Sequence, residues 1–151
     1  TSDLRVIANR FDYCRHAIAS GGVPGSGYEA AWNLVGPNEI GHSYDMHGGS
    51  DRGDNTDIAG DWMHVHHNTF LGKVASVGIR GVPSQGALIH NNWFTQTTPD
   101  KAVFSKANTR VYNNLHGPDK TPQEQPFEFA DRQPVMRPEG FSGALLPPAA
   151  P

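Results

Sequence analysis

The residues able to do chemistry in this 151-residue chain crowd into one stretch, Gly41 to Asn68, which holds five of its eight histidines. They sort into three groups. His42, Asp45 and His47, joined by Arg80 further along, combine imidazole, carboxylate and guanidinium. Such a set can grip a sugar carboxylate and stabilise charge that develops beside it, although an acid and an arginine can also be a plain structural ion pair. His64 and His66 stand two apart, so on a strand they share one face, outward if Val65 is inward. Two imidazoles on one face suit a metal or a sugar ring, and are equally compatible with solvent. Trp62, beside them, is a candidate stacking platform for a sugar, as are Trp32 and Trp93, though most such rings belong to a core. Asp51, Asp54 and Asp57 recur every third residue around Gly53 and Asn55. Three hard oxygen donors in a flexible loop could hold Ca²⁺; the spacing is not that of an EF-hand, and a solvated acidic loop has the same look.

Which of these groups meet depends on the elements that carry them. A motif returns along the chain: apolar, two residues, Asn, one residue, apolar. Its copies run Val6 to Asn9 to Phe11, Ala30 to Asn33 to Val35, Val65 to Asn68 to Phe70, Ile89 to Asn92 to Phe94, and Val111 to Asn114, with His116 at the last apolar place. The asparagines are 24, 35, 24 and 22 residues apart, the repeat length of one solenoid coil, the long gap being a coil plus a loop. Coils of a parallel β-helix rise about 4.8 Å each, so equivalent Asn side chains at a bend can hydrogen-bond as a ladder while their apolar neighbours stack inside. His67 then belongs to the bend.

A second strand is expected roughly ten residues after each Asn, at 16–19, 42–47, 77–81 and 101–105, with Ile18, Tyr44, Ile79 and Val103 inward. Arg80 and Asp45 each lie twelve residues after an Asn, which puts them in phase on successive coils. Gly21-Gly22, Gly48-Gly49 and Gly81 supply turns. A β-sandwich has turns at similar intervals but no reason to place Asn at one phase each time. The expected architecture is therefore all-β, a right-handed parallel β-helix over 1–117 with an inserted loop at about 48–61, followed by a Pro-rich tail over 118–151 laid on the solenoid. Since the first repeat begins so near Thr1, further coils or a companion chain are expected to precede it, making these the C-terminal coils of a larger helix. If the chain arises by self-cleavage, Thr1 is a candidate N-terminal nucleophile.

Composition narrows the function classes. With 12 Lys and Arg against 15 Asp and Glu, and no basic stripe, nucleic acid is not the expected partner. No apolar run is long enough for a membrane span. Cys14 is the single cysteine and cannot form an internal disulfide. There is no Gly-rich phosphate loop, no nucleophile elbow and no Cys-based zinc pattern.

His66-His67-Asn68, Ile79-Arg80-Gly81 and Asn91-Asn92 follow one another as a His-His-Asn strand, an Arg-bearing strand and an Asn-Asn strand. In this order, over about residues 4 to 117, the chain resembles the right-handed parallel β-helix superfamily that includes pectate lyases. The resemblance implies a secreted enzyme in which Arg80 takes the proton α to a uronate carboxylate and Asp45 is a ligand to Ca²⁺. The chain departs from that family in having Arg80 as its only arginine between residues 70 and 100. Beside the resemblance, the residues support an extracellular enzyme cleaving a polysaccharide in a groove along Asp45 and Arg80. Elimination would need a base and a charge sink; hydrolysis would need Asp45 paired with Asp57 or Asp61. A glycan-binding surface module and a metal-dependent hydrolase using the His/Asp cluster are the other readings, and the first test between them is whether His42, Asp45, His47, His64 and Arg80 share one cleft.

Overall fold

Five asparagines organise the chain. In the computed structural model, which describes residues 2–119, Asn9, Asn33, Asn68, Asn92 and Asn114 stack one per coil. Each Nδ2 donates to the next Oδ1 at 3.2, 3.0, 3.0 and 3.0 Å, and that Oδ1 also accepts the backbone N–H of the previous Asn. From Asn33 onward each Nδ2 also reaches a carbonyl in the coil before, on Val6, Ala30, Val65 and Ile89. The residue ahead of each Asn turns the corner in the left-handed region, with φ of 60° at Ala8, 58° at Trp32, 54° at His67 and 52° at Asn91 and Asn113. That conformation costs roughly 1–2 kcal/mol for a side-chain-bearing residue, and the ladder offsets it.

The corners join three parallel sheets into a β-solenoid of about five turns. The first sheet contains Ser2–Ile7, Ser26–Ala31, Trp62–His66, Gly86–His90 and Thr109–Tyr112, and the second five two-residue strands, from Arg10–Phe11 to Leu115–His116. The third has four: Ile18–Ser20, Tyr44–Met46, Val77–Ile79 and Val103–Phe104. Inside, identical positions stack. Phe11, Val35, Phe70, Phe94 and His116 form one column, in which the Phe70 and Phe94 rings lie 4.9 Å apart and His116 stacks on Phe94 at 5.4 Å. The imidazole thus completes the apolar column as a flat ring.

Two expectations need correcting. The third-sheet strands are shorter than expected, and the last is preceded by one helical turn, Pro99–Ala102. The phase was also off by two: Tyr44 stands eleven residues after Asn33, whereas its partner Val77 stands nine after Asn68, because the intervening turn is shorter. Asp45 therefore pairs with Gly78, and Ile79, buried as expected, stacks on Met46 rather than on Tyr44.

The long gap between asparagines is filled by residues 47–61, which include the short helix Gly49–Arg52. Arg52 ties this insertion down, donating to the carbonyls of Gly22, His47 and Ile58 and to Asp54. Coverage of the core is thinnest at the first coil, where Leu4 is 53 % exposed. Among the described residues no helix is long and apolar enough to cross a membrane. Thr1 and almost all of the expected tail, from residue 120, lie outside the described residues.

Candidate functional site

Two clusters of titratable side chains stand on different sheets. On the third sheet Tyr44 and Met46 point inward, so Asp45 between them points out. It is nevertheless 0 % exposed, because other groups close over it. Arg80 clasps it through Nε at 3.2 Å and Nη2 at 2.7 Å, and His47 Nε2 stands 3.1 Å from its Oδ2. His16 comes from the coil before. Its Nδ1 lies 2.6 Å from the His42 carbonyl, which can only accept, so Nδ1 carries a proton and Nε2 is turned to Asp45 at 3.6 Å.

His42 sits beside this cluster because its neighbour has no side chain. A Cβ on Gly78 would lie 2.9 Å from the His42 ring, which rests there against Phe104 at 5.2 Å. Burial holds the His42 pKa below the ordinary imidazole value; Asp45 opposes this, while His16 and Arg80 add to it. His42 is therefore a neutral imidazole at neutral pH. It opens on a cleft of about 350 Å³ lined by Arg15, His16, Ile40, His42, Val74 and Arg80 among others, with no carboxylate in the lining.

Asp45, His47 and Arg80 are thus in contact, with His42 beside them. Asp51 joins them at the rim, 2.9 Å from Arg80 Nη1, so Arg80 is held by two carboxylates. The other acidic residues of the insertion go elsewhere. Asp54 takes Arg52 and Thr56, whose hydrogen bonds keep its carboxyl below the usual range, and Asp57 takes Lys106 at 2.6 Å. Among the described residues Asp51, Asp54 and Asp57 do not converge into a common ligand set, and the oxygens of Asp45 already face Arg80 and two imidazoles. Asp61 is occupied by the Gly25 N–H, Ser84 and Gln85.

The second cluster lies on the outer face of the first sheet. Register places Glu29 beside His64, and His66 beside His90, on adjacent strands. His66 Nε2 is 3.0 Å from Glu29 Oε1, whose other oxygen is 3.0 Å from Arg5 Nε. His64 Nε2 is 2.7 Å from His90 Nε2, and His66 Nδ1 is 2.7 Å from His67 Nδ1. Glu29, His66, His67 and His90 are all buried, while His64 is half-buried. Burial first, then the surrounding imidazoles, pushes the His67 pKa down to about 3.

Trp62 closes this region from the side. Its indole covers Gly27, where a Cβ would come within 2.3 Å of Nε1, and with His64, Gln85, Leu88 and Arg110 it lines a cleft of about 410 Å³. Trp32 and Trp93 are 5 % and 3 % exposed, one stacked on His67 and the other donating to the Gly117 carbonyl, so neither can serve as a sugar platform. His64 belongs to this cluster and not to the cleft of His42.

Reading the residue types missed His16, Glu29 and His90. For two of these a signal existed. Glu29 and His64 each precede a ladder Asn by four residues, and His66 and His90 each precede one by two. Counting backward from the Asn, across a segment of constant length, finds the whole cluster. Counting forward crosses the turn of variable length and misaligns Asp45 with Arg80. No family model, curated protein or solved structure matches this chain.

Proposed function

We propose that this chain is an extracellular enzyme that binds an acidic polysaccharide in the third-sheet cleft and cleaves it by β-elimination. The observation that carries the reading is a neutral imidazole, His42, in a cleft whose every charged lining group is cationic. A uronate carboxylate fits against Arg80 and Arg15. Arg80 uses three of its five N–H groups on Asp45 and Asp51 and has two left for a ligand. An arginine side chain is a donor with no acceptor atom, and Arg80 is clasped by two carboxylates, so it serves as the charge sink and not as the base. His42 removes the proton α to the carboxylate, the bond to the leaving oxygen breaks, and that oxygen takes a proton from solvent. Asp45 and His47 touch no substrate; they orient Arg80. Hydrolysis by paired carboxylates is disfavoured because Asp45 has no exposed surface and Asp57 and Asp61 are held elsewhere. The exposed Leu4 supports a further part of the reading, that an upstream coil or companion chain covers the first coil.

The test is a polyuronate panel assayed by the ultraviolet absorbance of the unsaturated product. His42→Gln is expected to lose about 100-fold or more in kcat, and Arg80→Lys, which keeps the charge but not the fork, to raise KM about tenfold. Binding without any product, in chain whose circular dichroism is unchanged, would make this a glycan-binding module instead.

A further inference from the structure

We propose that Glu29, His64 and His66, on the outer face of the first sheet, form a site for a divalent transition-metal ion of the zinc class, with its open side toward the Trp62 cleft. A carboxylate oxygen and an imidazole nitrogen from each of the two histidines lie within 4.8 Å of one another. Ligands bonded at about 2.0–2.1 Å around a tetrahedral ion sit roughly 3.3 Å apart. The 3.0 Å separation of Glu29 Oε1 and His66 Nε2 is therefore already near what an ion would require, with a small outward shift.

The chemistry of the contacts points the same way. An imidazole nitrogen facing a carboxylate, or another imidazole nitrogen, needs a proton or a cation between the two atoms. His66 meets that demand at both ring nitrogens, toward Glu29 and toward His67, and His64 meets it toward His90. A metal taking the place of the proton between His66 Nε2 and Glu29 Oε1 would leave His66 Nδ1 against His67, the neighbouring imidazole that would orient the ligand. Arg5, on the other Glu29 oxygen, and Trp32, stacked on His67, fix the outer layer of this arrangement. Two nitrogen donors and one oxygen favour Zn²⁺, Co²⁺ or Ni²⁺ over Ca²⁺ or Mg²⁺. Because His64 is half-buried and lines the cleft of about 410 Å³, the remaining coordination position faces solvent and Trp62, as in metal sites that act on a ligand and unlike closed structural ones.

The rigid frame matters here. Glu29, His64 and His66 come from two adjacent strands in the middle of a five-stranded sheet whose register is pinned by the Asn ladder one corner away, so the ligands are positioned without any loop. The proposal does not depend on the third-sheet cleft, and either can fail alone.

The experiment is calorimetric titration of the chelator-stripped full chain with Zn²⁺, paralleled by the visible spectrum with Co²⁺. One ion per chain is expected, with a Co²⁺ spectrum of a four-coordinate site and a Zn²⁺-dependent rise in Tm. Glu29→Gln and His64→Gln should each weaken binding at least tenfold, while His116→Gln, on the far second sheet, should leave it unchanged. If either ligand variant fails to fold, imidazole NMR of the unsubstituted chain decides the matter: Zn²⁺ should shift His64 and His66 and spare His116. No stoichiometric ion, equal binding by His64→Gln, or shifts spread over all histidines would overturn the site.

Discussion

At the scale of single residues, the ladder asparagines show how one side chain can serve several parts of the fold at once. Asn68 holds two neighbouring asparagines, the Ala30 carbonyl and the hydroxyl of buried Tyr44, all away from water. Asn9 makes the same ladder contact at the exposed first coil. Leaving buried donors unmatched costs about 1–3 kcal/mol each. Asn68→Ala is therefore expected to destabilise the fold by about 3 kcal/mol or more, and Asn9→Ala by less than about 1 kcal/mol, measured by urea unfolding. Equal effects would mean that the ladder contributes no more than a surface hydrogen bond. Titration also belongs to this scale. Burial lowers the pKa of His42 and of His116, while their unfolded values lie near 6.5. In that case the unfolded chain binds more protons, so the stability these groups contribute is complete above about pH 7 and is lost as pH falls from there toward their folded values. Glu39 has the opposite sign, since burial raises its pKa and its protonation favours the fold. A thermal-melt series should show a first loss of stability as pH falls below about 7; the His42→Gln, His116→Gln double variant should lessen that loss without abolishing it, since buried His67, held down to about 3, contributes in the same direction.

At the scale of elements, the outward face of the third sheet is shaped by a missing side chain. Gly78 pairs with Asp45 and leaves room for the His42 ring. Gly78→Ala is expected to push that ring from its seat, lowering kcat on a polyuronate at least tenfold while costing less than about 1.5 kcal/mol of stability. Unchanged activity would show that the His42 position does not matter. The strands also explain what could be read from sequence and what could not. Each Asn fixes the strand before it, because that segment has one length in every coil; Val65 and His66 were legible for this reason, and the same count applied to the other coils would have found Glu29 and His90. The turn between the second and third sheets varies by two residues, and no residue type within it announces the change. Asp45 and Arg80 meet all the same, because a guanidinium on a long stem reaches across a register error that a short side chain could not. The insertion hid its own ion pairs: nothing in the spacing of Asp51, Asp54 and Asp57 shows that Arg80, Arg52 and Lys106 each claim one of them.

At the scale of the molecule, the solenoid converts chain order into parallel columns and so presents two separate chemical faces. One is a cleft lined by arginine and histidine, the other a buried set of imidazoles and a carboxylate. The repeat was visible because a parallel coil imposes one residue type at one phase, and an amide can donate to its own copy on one side while accepting from the copy on the other. The division into two faces was not visible, since His42, His47, His64 and His66 are close in sequence yet lie on different sheets. The function proposed rests on the first face. Its most direct measurement is the mass spectrum of a purified oligouronate after incubation with the chain. Elimination predicts fragments whose masses sum to that of the substrate, one of them unsaturated. Fragments that together gain one water per cut, or an intact oligomer, would contradict it.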